Sequence, residues 1–347
     1  MTSDKFKILL ASNGTVVVLL VLVTTLTFLS PRFLQPSNLE TVVLSMAEIG
    51  IIAIPMTFLV MSGSVDLSVG SIASLAAVSG GIVSSTTGNL LLGTLVALAV
   101  GVIAGVINGM LVEMAGLNPL VVTLGTLSVW GGLALLIAEG RSITDLPSAT
   151  KTISSFQLFG VISTPMLVLI AVFSVGWWIL NRKPFGRAVL ATGGNARAAF
   201  LMGINVKWVR IRLFVFTGIA ASVAGTLMSW KLQAASPSLG NGLEFSVLTV
   251  VLLGGIAFEG GQGRLSGVLA GVLFVGALRN GLVILGVSQF VQTIMVGLTL
   301  IAAVSFDKSI QRVLKSAWVN VAKQEDDPST TPPPGNATAT ATERTSA

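Results

Sequence analysis

The feature that most constrains this chain is a series of apolar blocks, each about 17 to 23 residues long and separated by short polar breaks. A helix needs about 20 apolar residues to cross the roughly 30 Å hydrocarbon core of a bilayer. Strands of a membrane barrel would instead alternate apolar and polar residues at every second position. The chain is 53% hydrophobic and only 10% charged, which makes it more apolar and less charged than soluble domains. The sequence therefore predicts an all-α, polytopic membrane helix bundle.

Hydropathy predicts about ten transmembrane helices, although it does not fix the boundaries of the third and eighth. The predicted spans are 9–30, 41–61, 67–86, 90–111, 118–138, 164–181, 212–231, 243–258, 266–285 and 289–306. Residues 1–308 thus form one transmembrane domain, followed by a juxtamembrane segment, 309–322. The remaining residues, 323–347, are polar and rich in Pro, Thr and Ala. Because such a composition cannot bury a core, we expect a disordered tail there.

The distribution of Lys and Arg predicts the orientation of the bundle. Residues 182–212 contain seven basic residues and no acidic one, which places this loop in the cytoplasm. The loop 139–163 balances two acidic residues against two basic ones and is predicted to be external. Ten crossings then put both termini in the cytoplasm. The net charge of +6 reflects this topology, and nucleic acid is not an expected partner.

Several absences exclude classes of chemistry. The chain has no Cys, His or Tyr, which removes thiolate and imidazole metal sites and the usual nucleophilic machinery. It also has no Gly-Lys dipeptide and therefore no Walker A loop for ATP. No paired carboxylates or activated nucleophile are found. We expect no catalytic residue, metal or cofactor in this chain, and we do not expect an enzyme.

The polar stretch Met61–Ser71, MSGSVDLSVGS, lies between two apolar blocks. Asp66 has two interpretations. Its carboxylate can cap the following helix by accepting an N–H from Ser68 or Val69, or it can bind the hydroxyls of a solute in a pathway. Glycines and serines around it suit irregular backbone, which survives at membrane depth only inside protein or along a cavity. Asp66 and Ser68 are candidate pathway residues.

Ionisable groups inside a membrane are costly and indicate function. Glu48 and Arg279 each lie about six or seven residues inside their spans from the outer face, which is roughly 10 Å at ~1.5 Å per residue. We predict that they pair or gate the external mouth of a pathway; independent structural roles are the alternative. Further hydroxyl and amide candidates for the pathway are Thr123, Thr126, Gln289 and Gln292.

Glycines at intervals of four indicate close helix packing. Small residues let helices approach each other where no hydrophobic driving force acts. They predict packing within the chain or, alternatively, the seam of a homodimer. The glycines concerned are Gly101, Gly105, Gly109, Gly267 and Gly271.

A weak internal echo relates Asn108–Gly109 to Asn280–Gly281, since the Gly, Val and Thr that follow recur at matching offsets. In the predicted topology, the first copy turns in the cytoplasm and the second turns on the external side. This pattern is typical of a five-plus-five inverted repeat with a site near the midplane. Chance similarity in a glycine-rich chain is the alternative.

The basic loop contains a predicted short helix. Asn195 can cap this helix, which runs through Met202 and ends at Gly203, while Ala198, Ala199 and Met202 give it a small-residue face. A short helix on a positive loop is suited to docking a soluble partner. Alternatively, the charges of the loop serve only to fix orientation.

Four segments carry a resemblance to ribose-type sugar ABC permeases, a family that includes galactose, xylose, rhamnose and quorum-signal furanone systems. They are Ser62–Ser71, which resembles a "GG-[IV]-DLSVGS" signature, Asn118–Thr126, Gly186–Asn205 and Val251–Gly267. The resemblance runs in order from about residue 30 to 307. The chain departs from the family pattern at Ser64 and Glu259, which bears on the identity of the solute.

The resemblance implies an importer permease in the cell (inner) membrane. Its implied partners are a second permease copy or paralogue, a cytoplasmic ABC ATPase that binds ATP and Mg, and a periplasmic or extracellular solute-binding protein. It further implies that the loop docks into the ATPase through Gly186, Arg187, Ala191, Gly193, Gly194, Asn195, Ala198, Ala199 and Gly203. The alternatives are a branched-chain amino-acid or nucleoside ABC permease and an autonomous ion-coupled carrier.

Overall fold

The computed structural model describes residues 14–160 and 162–305, which are mostly helical. The helices are α1 (Gly14–Leu29), α2 (Pro36–Met61), α3 (Val69–Thr87), α4 (Leu90–Glu113), α5 (Pro119–Ile137), α6 (Ala149–Ser154), α7 (Thr164–Arg182), α8 (Pro184–Gly194), α9 (Ala196–Leu201), α10 (Val206–Leu232), α11 (Leu243–Leu253), α12 (Leu265–Ile284) and α13 (Gln289–Ser305). Strands β1 (Gln157–Leu158) and β2 (Ile162–Ser163) pair antiparallel between α6 and α7. The all-α prediction is confirmed. The predicted segments 309–322 and 323–347, both termini and the start of the first span lie outside the described residues.

Seven of these helices are long and apolar enough to cross a membrane, namely α2, α3, α4, α5, α7, α10 and α12. The apolar helices α1, α11 and α13 are shorter. Each predicted span overlaps one of these helices, so hydropathy located the elements well. The number of crossings, about ten, stays a prediction.

The eighth predicted span, 243–258, is shorter than expected. Helix α11 ends at Leu253 because Gly254 and Gly255 turn the chain, the latter at φ +76°. Its 11 residues cover about 16 Å, roughly half of the hydrocarbon core. The segment before α11 reaches the start of α3, where the Gly240 N–H donates to Ser74 Oγ at 2.8 Å. Irregular backbone is therefore buried inside the protein, as the membrane requires.

Helices α2 and α10 form the centre of the bundle. Nearly every residue of α2 from Met46 to Met61 is buried, since this helix contacts α7, α10, α11 and α12. Helix α10 in turn packs against α3 and α4. It begins at Val206, six residues before the predicted span, because Asn205 Oδ1 accepts the Trp208 N–H at 3.2 Å and caps it there.

Both glycine faces are used for contacts within the chain. A Cβ added at Gly105 of α4 would lie 2.6 Å from the carbonyl oxygen of Phe214 on α10. A Cβ added at Gly271 of α12 would lie 2.4 Å from the carbonyl oxygen of Val250 on α11. Gly101, Gly109 and Gly267 make equivalent close approaches to the same two helices or the turn after α11. Side chains larger than hydrogen would separate the backbones at these seams.

The loops lie at two ends of the bundle, and the loops at each end contact one another. At one end, Arg210 at the start of α10 is paired with Glu113 at the end of α4. At the other end, Ile143 pairs its backbone with Ala235, which follows α10. This division agrees with the predicted alternation of loops, and we name the two ends inner and outer accordingly. Which end faces the cytoplasm stays a prediction.

The two copies of the internal echo have similar local geometry. Gly116 follows α4 at φ +69°, and Gly286 follows α12 at φ +73°. Asn108 and Asn280, which precede them, are both buried and donate side-chain hydrogen bonds. The inverted repeat as a whole remains a prediction.

Candidate functional site

The polar stretch after α2 forms an irregular junction before α3, in which every residue except Gly63 is buried. Asp66 Oδ1 accepts the Ser68 backbone N–H at 2.9 Å and the Ser68 hydroxyl at 2.6 Å. From α4, Asn108 Nδ2 donates to Ser68 Oγ at 2.8 Å. Neither Asp66 nor Ser68 exposes surface in this chain. Helix α3 begins at Val69 with Ser68 as its N-cap. Asp66 is therefore not itself the cap but orders the turn before the helix, and its role in a pathway stays a prediction.

A residue that the sequence used only for orientation anchors this junction. Arg210 Nε donates to the Ser62 carbonyl oxygen at 3.0 Å, and its Nη1 lies 3.3 Å from Glu113 Oε1. The guanidinium thus ties the start of α10 to the ends of α2 and α4. Nothing in the sequence indicated this contact, because the orientation of the loop was enough to explain a positive charge at Arg210.

The predicted docking loop consists of α8, α9 and the start of α10. As predicted from its type, Asn195 caps α9, with Oδ1 accepting the Ala198 N–H at 2.9 Å. Ala199 is buried, whereas Phe200, Leu201 and Met202 are 68%, 77% and 83% exposed. The outward surface of α9 therefore contains Ala198 and Met202 of the predicted face, and Phe200 and Leu201 extend it to a large apolar tip.

The other docking candidates divide into outward and inward positions. Arg187, Ala191, Gly194 and Ala198 are exposed, and Gly203 ends the segment at φ +84°. Gly186 is buried against α7, where an added Cβ would lie 2.5 Å from the carbonyl oxygens of Ile179 and Leu180. The segment is consequently held by backbone contacts while its tip faces outward.

The docking segment touches the polar stretch at a contact made of backbone atoms, which we name the inner junction (Met61, Gly193 and Gly261). The Gly261 N–H donates to the Met61 carbonyl oxygen at 2.8 Å. A Cβ added at Gly193 would lie 1.8 Å from this oxygen and 2.4 Å from Gly261 N. Three motifs that are distant in sequence thus meet where only glycine fits.

Next to the inner junction lies a cavity of about 310 Å³, which we name the inner cavity. Its walls come from three of the quoted motifs, through Gly63–Val65, Asn118–Leu120 and Phe258–Glu259. The two departures from the family pattern, Ser64 and Glu259, both line it. Hydropathy could not have located this cavity, because its walls are brought together only by the packing of α2, α5 and the turn after α11.

At the outer end, four side chains from four helices form what we name the outer cluster. Glu48 Oε1 on α2 lies 3.2 Å from Lys231 Nζ at the end of α10. Arg279 Nη2 on α12 donates to Ser246 Oγ on α11 at 2.6 Å. The predicted direct pairing of Glu48 with Arg279 is therefore corrected: Lys231 reaches Glu48 instead, and Arg279 attracts it electrostatically from a greater distance.

Another buried acid at the outer end went unnoticed in the sequence. Glu244, in the first turn of α11, is 7% exposed and accepts the Gly242 N–H at 3.2 Å. Both Glu244 and Lys231 stand at the edges of predicted spans, where charged residues are commonplace. The burial of Glu244 goes with the shortness of α11, which hydropathy did not reveal.

The remaining pathway candidates do not converge on one site. Thr123 Oγ1 donates to the Pro119 carbonyl oxygen of its own helix at 2.8 Å, and Thr126 donates weakly to the Thr123 carbonyl oxygen. At the start of α13, Gln292 Nε2 donates to the Val287 carbonyl oxygen at 2.9 Å, and Gln289 is exposed. Their role in a pathway stays a prediction.

Comparison with known proteins identifies relatives along most of the chain. Residues 38–304 match a family described as the permease component of the branched-chain amino acid transport system. The ribose import permease protein RbsC of Bacillus subtilis (strain 168) is 36% identical over 297 residues, covering 84% of this chain and 90% of that protein. The L-arabinose ABC transporter permease protein AraH of Azospirillum brasilense is 35% identical over 300 residues, covering 86% and 88%.

The ribose import permease protein RbsC of Escherichia coli (strain K12) is 32% identical over 310 residues, covering 87% of this chain and 95% of that protein. No solved structure matches the chain. These matches confirm the resemblance that the motifs indicated, and with the membrane-length helices they establish a multi-pass membrane protein. The chain belongs to the family of transport proteins described as the permease component of the branched-chain amino acid transport system.

Proposed function

We propose that the chain is the membrane-spanning subunit of an ATP-binding-cassette importer for a sugar or sugar-like solute. The observation that carries this proposal is the inner junction, in which an exposed docking segment contacts the backbone beside a cavity. Curated relatives named as ribose and L-arabinose permeases support the choice of solute. The branched-chain amino acid in the family description is the less favoured alternative.

The docking segment supplies a means of passing movement from a partner to the pathway. The apolar tip Phe200–Met202 is available to a soluble protein. Because Gly193 lies directly on the Met61 carbonyl oxygen, a shift of α8 cannot be absorbed by side-chain rearrangement. Closely packed contacts transmit displacement in this way. Movement of the tip would therefore move Met61 and Gly261, which adjoin the walls of the inner cavity.

The energy for transport would come from a partner, since the sequence has no Walker A loop. A cytoplasmic ATPase would dock at the apolar tip, and a solute-binding protein would deliver the sugar at the outer end. A second permease copy or paralogue would complete the membrane part. Nucleotide and Mg would be held by the ATPase.

An uptake assay tests the proposed function. The chain would be expressed with its ATPase and binding protein in cells that lack other sugar importers, and uptake of radiolabelled D-ribose, L-arabinose and L-leucine would be measured. We expect sugar uptake that disappears when the ATPase is inactivated. Uptake of leucine alone would favour the alternative solute, and uptake without an active ATPase would contradict the proposal.

The docking role of the apolar tip has a separate test. We expect Phe200→Ser to reduce copurification of the ATPase by about tenfold, as for an exposed aromatic anchor in an interface. Phe156→Ser, which removes an exposed aromatic from the outer end, is the matched control. Equal recovery of the ATPase with both variants would contradict docking at this tip.

A further inference from the structure

The inner cavity combines a size and a lining suited to a small ligand. Its volume of about 310 Å³ lies at the lower limit of ligand pockets, which range from roughly 300 to 1,000 Å³. Its walls include one carboxylate, one amide, one hydroxyl and one aromatic ring, from Glu259, Asn118, Ser64 and Phe258. These groups come from three separate segments and meet only here.

The hydroxyl of Ser64 is the most informative of these groups. Ser64 is 5% exposed, and its Oγ has no hydrogen-bond partner in the part of the chain that the structure describes. A buried polar atom without a partner is destabilising, and most such atoms in proteins are satisfied. A ligand in the inner cavity would supply the missing partner.

The amide and the carboxylate also have free hydrogen-bonding capacity. Asn118 Oδ1 accepts the Leu120 N–H at 2.9 Å as the cap of α5, which leaves the two Nδ2 hydrogens to donate elsewhere. Glu259 forms no ion pair or hydrogen bond with residues 14–160 or 162–305. The inner cavity thus presents an acceptor and a donor, and the buried, unpartnered hydroxyl of Ser64 lies in its wall, where a side-chain rotation would bring it to a ligand.

Phe258 adds an apolar surface beside these polar groups, because its side chain is 44% exposed next to Glu259. A polyhydroxylated ring has hydroxyls at its rim and C–H groups on its faces, which match such a lining. The lining contains no Lys or Arg, and the nearby Arg210 is engaged by the Ser62 carbonyl oxygen and Glu113. Among the described residues, the cavity therefore offers no free cation to the carboxylate of a zwitterionic amino acid. Glu259 would repel that carboxylate.

We propose that the inner cavity is a binding site for a neutral polyhydroxylated solute, contacted by Ser64, Asn118, Phe258 and Glu259. This inference rests on the proposed function and makes the cavity the last holding site before release. The inner junction adjoins the cavity through Gly260. A Cβ added there would lie 3.0 Å from the N atom of Gly63, which lines the cavity, and 3.1 Å from the carbonyl oxygen of Met61, which belongs to the junction. Movement of the docking segment would therefore change the shape of the cavity.

Saturation-transfer NMR with the purified full chain in lipid nanodiscs tests the site directly, with D-ribose and L-leucine as probes. We expect Glu259→Gln to raise the Kd for ribose about tenfold, as for loss of a hydrogen bond to a charged acceptor. Asp145→Asn, which changes an exposed acid at the outer end, is the matched control and should leave the Kd unchanged.

Ser64→Ala distinguishes binding from a structural role. Because the hydroxyl has no partner in the described protein, its removal should weaken ribose binding while the melting temperature stays equal or rises. A fall in melting temperature with unchanged binding would overturn the assignment of Ser64.

The remaining outcomes separate this inference from the proposed function. If Glu259→Gln and the Asp145→Asn control have the same Kd for ribose, the proposed site is wrong. If ribose uptake persists in that case, the proposed importer function still holds. Saturation by leucine and not by ribose would overturn the solute class. Absence of uptake for every sugar would count against the proposed function itself.

Discussion

The inner junction and the outer cluster join the same central helix to its neighbours by opposite means. At the inner junction, Met61 on α2 meets Gly193 and Gly261 through backbone atoms alone. At the outer cluster, Glu48 on the same helix is reached by the long side chain of Lys231. Backbone contacts at glycines leave no freedom to adapt, whereas a lysine can release its partner and reform the pair. We therefore expect the inner end to transmit movement and the outer end to permit it.

The largest effect should come from filling the inner junction. We expect Gly193→Ala to reduce sugar uptake at least about tenfold, because overpacking against a carbonyl typically costs about 1–3 kcal/mol. Gly132→Ala is the matched control, since a Cβ at this helical glycine of α5 meets nothing within 4 Å. Uptake would be measured beside thermal melting of the purified protein. Equal uptake by both variants would show that the inner junction is not rigid.

Breaking the outer ion pair should have the next largest effect, seen as lower stability. We expect Lys231→Gln to lower the free energy of unfolding by about 2 kcal/mol, below the usual figure for fully buried pairs because the lysine side chain is 39% exposed. Glu48→Gln should cost less, since it removes the buried charge itself.

The double variant sharpens this result. Glu48→Gln combined with Lys231→Gln should be more stable than the sum of the single effects predicts, because the unpaired carboxylate is gone. Denaturant titration of the detergent-solubilised protein gives all three values. Strict additivity would contradict a coupled pair.

A smaller effect is expected at the ion pair between Arg210 and Glu113 at the inner end. Arg210→Lys should lower the free energy of unfolding by about 1 kcal/mol, because lysine cannot serve both the Ser62 carbonyl oxygen and Glu113 with a planar fork. Arg212→Lys, at an exposed position two residues away, is the control. Equal melting curves for the two variants would remove Arg210 from the anchoring role.

The smallest effect concerns salt. Raising ionic strength from about 0.1 M to 1 M shortens the Debye length from about 10 Å to 3 Å. The destabilisation by Lys231→Gln should then shrink by less than about 0.5 kcal/mol, whereas that by Gly193→Ala should stay constant. A salt dependence in the glycine variant would contradict the comparison between the two ends.

Local patterns in the sequence predicted local structure well. The apolar blocks located the helices, and Asn195 was identified as the cap of α9 from its residue type and spacing. The carboxylate of Asp66 accepts the predicted Ser68 N–H. In each case the cause lies within a few residues of the effect, so the printed order of residues contains it.

Contacts between distant segments were not predictable in the same way. Glu48 was paired with Arg279 on the basis of equal depth, but depth does not specify which neighbouring helix a side chain faces. Lys231 stood at the end of a span and was overlooked. The inner cavity depends on three segments whose proximity is a property of the packed bundle. A single sequence contains no direct measure of that proximity.

The ion pair of Glu48 also has a consequence for how the chain is made. Its partner lies 183 positions later, so at roughly 5–20 residues per second the ribosome needs about 9–37 s to deliver Lys231. During that interval α2 enters the bilayer with a lone carboxylate, which is unfavourable on insertion scales. An 18-residue window of α2 has a mean hydropathy of 2.1, which offsets this cost until Lys231 has been synthesised.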